Sequence, residues 1–148
     1  MQFDSNNHVV KLCTQGMRLE GEGNPEEAYK IFQQAWNEST DDFEKLTSAH
    51  YVARHQKTIA EKLEWDETAL NLALKINDER VKVGYPSLYL NIGKCYEDLN
   101  DFDNAQKNYQ LAFSFTNLLP DNSYASIVKQ GIANGLARVA AENKLRLS

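Results

Sequence analysis

The chain has 148 residues, 42% apolar and 25% charged, with a formal charge of −5, the profile of one ordinary globular domain. Seven glycines and three prolines are too few for a linker, a collagen-like chain or a disordered tail, and the lack of a basic stripe argues against nucleic acid as a partner. Cys13 and Cys95 cannot build a disulfide framework, so a reducing cytoplasm is expected; residues 1–8 lack the basic and apolar regions of a signal peptide, and the longest uncharged stretch, Asn108 to Pro120, is too short to span a membrane.

Nearly everything reads as helix. Val9, Val10, Leu12, Cys13, Met17 and Leu19 recur at helical spacing until Gly21-Glu22-Gly23. Asn24-Pro25-Glu26-Glu27 then combines an N-cap, a proline at the first helical position and a glutamate three residues after the cap. The helix it opens carries Ala28, Ile31, Phe32, Ala35 and Trp36. Ser39-Thr40-Asp41-Asp42 starts the next, with Phe43, Leu46, Ala49 and Ala53. Thr58 with Glu61 is a further capping box, ahead of Ile59, Leu63, Leu70, Ala73 and Ile76. Val81, Tyr85, Leu88, Ile92 and Tyr96 follow, and Pro86 either starts this helix or kinks a longer one. Asp101 caps Phe102, Ala105, Tyr109, Ala112 and Phe113. Pro120-Asp121-Asn122-Ser123 breaks the chain before Tyr124, Ile127, Val128, Ile132, Leu136 and Val139. No alternating pattern bounded by hairpin turns occurs, so the expectation is seven helices in an all-α chain.

Two helix pairs are alike. Leu12, Gly16 and Leu19 precede Ala28, Phe32 and Ala35; Tyr89, Ile92, Gly93 and Tyr96 precede Ala105, Tyr109 and Ala112. Gly16 to Ala28 and Gly93 to Ala105 are both 12 residues. A glycine facing an alanine lets paired helices approach, and aromatics fill the gaps between pairs. The pattern resembles the tetratricopeptide repeat, a helix–turn–helix unit of about 34 residues. The resemblance implies a right-handed α-α superhelix, a short solenoid in one domain spanning 1–148. Its repeats would be 9–38, a divergent 41–77 and 79–118, with 122–146 as a capping helix. His50 or Ala49 takes the close-contact position of the middle repeat.

Two further stretches, Ala49-His50-Tyr51-Val52-Ala53-Arg54-His55-Gln56 and Tyr85-Pro86-Ser87-Leu88-Tyr89-Leu90-Asn91-Ile92-Gly93, are similar to a group of small bacterial tetratricopeptide proteins. Some of that group carry an RNA-methyltransferase label. Such an enzyme needs a strand, a glycine-rich turn and a helix for its cofactor. None of the seven glycines forms that motif, and no Asn-Pro-Pro-aromatic segment is present. The reading is therefore not an enzyme, with no catalytic residue and no cofactor. His50 and His55 lie about 140° apart on a helix, against the three- or four-residue spacing of a metal pair, so no metal site is expected. Trp36 and Trp65 read as packing residues, and Gly131 and Gly135 as close contacts of the last helix with the preceding hairpin.

In tetratricopeptide folds the first helix of each pair lines a concave surface that binds peptides. Tyr51 and His55, with Arg54 beside them, and Asn91 and Lys94 on the next such helix, offer an aromatic surface, amide donors and positive charge. This composition suits an extended, anionic protein or peptide partner, and the expected function is a non-catalytic scaffold binding that partner in its groove. The alternative is self-assembly, as a homodimer or larger oligomer, through the last helix or the chain's two ends. Residues 1–45 hold nine acids and four bases, whereas 121–148 hold two acids and four bases, so neighbouring copies could attract end to end.

Overall fold

In the computed structural model, which describes residues 4–148, every regular element is helical. The order is α1 (His8–Gly21), α2 (Pro25–Asn37), α3 (Asp42–Ala53), α4 (Ile59–Lys75), α5 (Glu79–Lys82), α6 (Tyr85–Asp98), α7 (Phe102–Ser114), a 3₁₀ turn (Thr116–Leu118) and α8 (Ser123–Leu147). The single turn α5 is additional to the seven helices expected from the sequence. Asp78 caps it by accepting from Arg80 N at 2.8 Å, and Pro86 stands in the first turn of α6, so it starts that helix and kinks none.

Local chemistry sets the other boundaries. Asp41 Oδ1 accepts from Glu44 N at 2.8 Å. Thr58 caps α4 as expected, Glu61 N donating to Thr58 Oγ1 at 3.1 Å, but Glu61 Oε1 accepts from the Thr58 hydroxyl at 2.9 Å and not from the backbone N–H of a capping box. Asn24 makes no side-chain cap. Its backbone N–H instead donates to Leu19 O at 2.9 Å, closing α1 around Gly23 at φ 81°. The α6–α7 turn repeats the device 77 residues later: Asp101 N donates to Tyr96 O at 2.9 Å, with Asn100 at φ 62°.

The described chain divides into two compact units, the first ending at Asn77 and the second running Asp78–Ser148. In the first, α1 and α2 form an antiparallel pair, α3 packs against both, and α4 pairs with α3. In the second, α6 and α7 form the pair and α8 packs against both. Each unit thus has the helix-pair logic of a tetratricopeptide-like scaffold, and α8 is the C-terminal helix.

Phe32 and Tyr109 are the centre of each pair; both are fully buried. Each lies against a glycine of the preceding helix. A Cβ on Gly93 would sit 2.8 Å from Tyr109 Cδ1, and one on Gly16 would collide with the Phe32 ring. Gly135 of α8 also meets the Tyr109 ring, where a Cβ would lie 2.6 Å from Cζ, and a Cβ on Gly131 would be 3.2 Å from Leu90. The two glycines therefore seat the last helix on the preceding hairpin. Trp36 and Trp65 meet edge to face at 4.9 Å, as packing residues. Of the two candidates on α3, Ala49 is fully buried and His50 is partly buried.

Candidate functional site

Three of the five expected binding residues, Tyr51, Arg54 and His55, belong to the first unit; Asn91 and Lys94 belong to the second. Helix α3 ends at Ala53, so Arg54 is its C-cap and His55 stands in the following turn, with its N–H on Val52 O at 3.2 Å. Tyr51 stacks on Phe32 with centroids 5.0 Å apart and planes 15° apart. The Arg54 guanidinium lies 5.1 Å over the other part of this stack, the Tyr51 ring.

Glu20, at the end of α1, joins the cluster. Arg54 Nη2 donates to its Oε1, and His55 Nε2 lies 2.7 Å from its Oε2. The Glu20 side chain is 21% exposed and that of His55 15%, whereas Arg54 remains 42% exposed. His55 also stacks on Tyr29 at 5.8 Å, and Gln56 Nε2 donates to Tyr29 Oη at 3.1 Å. Beside these groups an open cleft of about 500 Å³ is lined by Pro25, Tyr29, His55, Gln56, Lys57 and Glu61. His50 faces a different environment. Desolvation pushes its pKa below the ordinary value of 6.5, the positive charges of Arg54 and Lys62 act in the same direction, and Asp66 opposes them.

In the second unit Lys94 pairs with Asp98 at 2.7 Å, one helical turn along α6, and Asn91 is partly buried. The stronger cluster there is one that sequence reasoning missed. Glu97 accepts from Tyr109 Oη at 2.7 Å, from Arg138 Nε at 2.8 Å and from Arg138 Nη2 at 3.1 Å. The Arg138 hydrogen bonds hold the Glu97 carboxyl below its usual range despite burial, and Tyr109 hydrogen-bonding helps. Burial, and then Glu97 itself, push the Tyr109 phenol up.

Glu20 and Glu97 are the missed residues, and a signal existed: each follows its close-contact glycine by four positions, one turn along the same helix face. Among the described residues no group of three His, Cys, Asp or Glu side chains is placed to hold a metal ion, and no helix is long and apolar enough to cross a membrane. Cys13 is buried, which pushes its thiol up to about 12 and keeps the nucleophilic thiolate scarce.

A tetratricopeptide repeat family model matches residues 86–116, the stretch that carries α6, α7 and the Tyr109 core. No curated protein and no solved structure matches the chain. These observations define an all-α chain with a tetratricopeptide-like repeat over residues 86–116; the match reaches the repeat and not the group bearing a methyltransferase label.

Proposed function

We propose that this chain is a non-catalytic interaction scaffold that binds an extended, anionic segment of a partner protein. On the first unit the contacts are Tyr51, Arg54 and His55; on the second, Asn91 and Lys94 serve in the same way. The observation that carries the reading is Arg54. A guanidinium has five N–H donors, Glu20 engages one amino group, and the side chain stays 42% exposed on an aromatic ring. Glu20 and Tyr51 fix its plane, so little side-chain entropy remains to be lost when a carboxylate or phosphate meets it.

Crosslinking in the native cell, comparing the wild-type chain with Arg54→Ala, identifies the partner segment. That segment, made as a peptide, is then titrated at low and moderate salt. A charge-assisted contact contributes about 1.5–3 kcal/mol, so Arg54→Ala weakens binding roughly 10- to 100-fold. Lys107→Ala, on the exposed side of α7, leaves it unchanged, and added salt weakens the wild-type complex. Equal affinities for the two variants would place the site elsewhere.

A further inference from the structure

Two contacts put α8 in the register of α3. Tyr51 of α3 stacks on Phe32, and Gly135 of α8 abuts the counterpart ring of Tyr109. Three residues further on, Arg54 engages Glu20 and Arg138 engages Glu97. This equivalence pairs Phe43 with Ile127, Ala49 with Ala133 and Ala53 with Ala137. In the first unit α4 packs on α3, and Ala49 and Ala53 are sealed at 0% and 1% exposure. On α8 the equivalent Ala133 and Ala137 are exposed, Ile127 is 71% exposed, and Leu145 further along is 68% exposed. Helix α8 therefore carries the face of a helix that takes a partner, and no described residue covers it.

Charge selects the occupant. Arg138 and Arg146 are engaged by Glu97 and Asp103. Lys129 and Lys144, exposed beside the alanine face, have no ion pair among the described residues. A second α8 would bring the same positive sign to this face, whereas an acidic helix complements it. The helix that covers α3 is of that kind: α4 carries Glu61, Glu64, Asp66 and Glu67 against Lys62 and Lys75, and buries small residues at Ala69 and Ala73. We propose that the outer face of α8, formed by Ile127, Ala133, Ala137 and Leu145 with Lys129 and Lys144 beside it, docks an acidic amphipathic helix of a partner protein. This surface is separate from Arg54 and independent of the groove reading.

The probe is a synthetic peptide of residues 58–76, which reproduces α4, fluorescently labelled and titrated into the full chain. Saturable binding is expected, weaker at moderate salt than at low salt. Ala137→Arg obstructs close helix approach and lowers affinity by about tenfold or more; the combined Lys129→Glu and Lys144→Glu variant also lowers it. Lys107→Ala, exposed on α7, leaves it unchanged. All these positions are exposed, and unaltered circular dichroism melts verify folding. Absence of binding, or binding that either α8 variant leaves intact, overturns the proposal. A dimer abolished by Ala137→Arg, without peptide binding, assigns the face to a second copy and overturns it equally.

Discussion

Tyr109 Oη lies 2.7 Å from Glu97 Oε1, a bond that Phe32, its counterpart 77 residues earlier, cannot make to Glu20. The first unit replaces the missing hydroxyl with the imidazole of His55, 2.7 Å from Glu20 Oε2. Each partly buried glutamate thereby has an arginine from beyond the next helix, Arg54 at the end of α3 or Arg138 on α8, and a second polar partner. A half-satisfied carboxylate at either place would be costly, so one steric plan is completed by two different side chains.

The glycines that admit the central rings are the least replaceable positions. Gly93→Leu drives a side chain into Tyr109, a fully buried ring with no room to withdraw, and costs about 1–3 kcal/mol by overpacking. Gly21, on the same helix as Gly16, has nothing within 4 Å of an added Cβ. Gly21→Ala therefore raises stability by up to about 1 kcal/mol through helix propensity. Urea melts of the two variants moving in the same direction would overturn this account of the pair.

Ion pairs of similar length are expected to differ in worth. Glu97 is 13% exposed and bound by two Arg138 nitrogens, whereas Lys94 and Asp98 are 52% and 39% exposed. Arg138→Ala leaves a shielded carboxylate with Tyr109 alone and costs about 1–2 kcal/mol, the loss being moderated by solvent around the arginine. Lys94→Ala costs less than about 0.5 kcal/mol. Denaturant midpoints decide it, and equal losses would mean that Glu97 is as well solvated as Asp98.

Much of this organisation is legible in the chain itself. Gly16, Ala28 and Phe32 recur as Gly93, Ala105 and Tyr109 because ring, glycine and alanine are local requirements of a close helix pair. The Glu20–Arg54 and Glu97–Arg138 bonds span 34 and 41 residues, a spacing that shifts with the length of the connecting turns, so no fixed motif announces them. Arg54 and His55 were recognisable as a polar cluster, but their shared carboxylate lies on another helix. The short α5 depends on the Asp78 cap and on the break at Gly84, which a continuous apolar pattern from Val81 to Tyr96 conceals.

His50 makes stability fall on mild acidification. Desolvation, then Arg54, lower its native pKa below 6.5, Lys62 adds to the shift and Asp66 opposes it. Below pH 6.5 the unfolded chain thus binds a proton that the native imidazole resists, and the native state loses stability until pH reaches the depressed native value. The carboxyls of Glu44 and Glu97, held below 4.5, contribute their own loss only in more acidic solution. His50→Gln should flatten the thermal midpoint between about pH 7 and pH 5. An unchanged slope would assign the sensitivity to another group.

The two ways of satisfying Glu20 and Glu97 can be exchanged. In the α3–α8 register His55 corresponds to Val139, so His55→Val with Phe32→Tyr rebuilds the second unit's arrangement inside the first. His55→Val alone leaves Glu20 with Arg54 and removes a ring that stacks on Tyr29; the expected cost is about 1–2 kcal/mol. Phe32→Tyr alone adds a hydroxyl to a fully buried ring while Glu20 is already served by Arg54 and His55, a change near neutral or mildly destabilising. In the double variant the phenol takes the bond that the imidazole made, as Tyr109 does to Glu97. The double-mutant cycle should therefore show favourable coupling of at least about 0.5 kcal/mol. Strictly additive losses in urea would mean that the para position of ring 32 does not reach Glu20, and the equivalence of the two units would fail at its central residue.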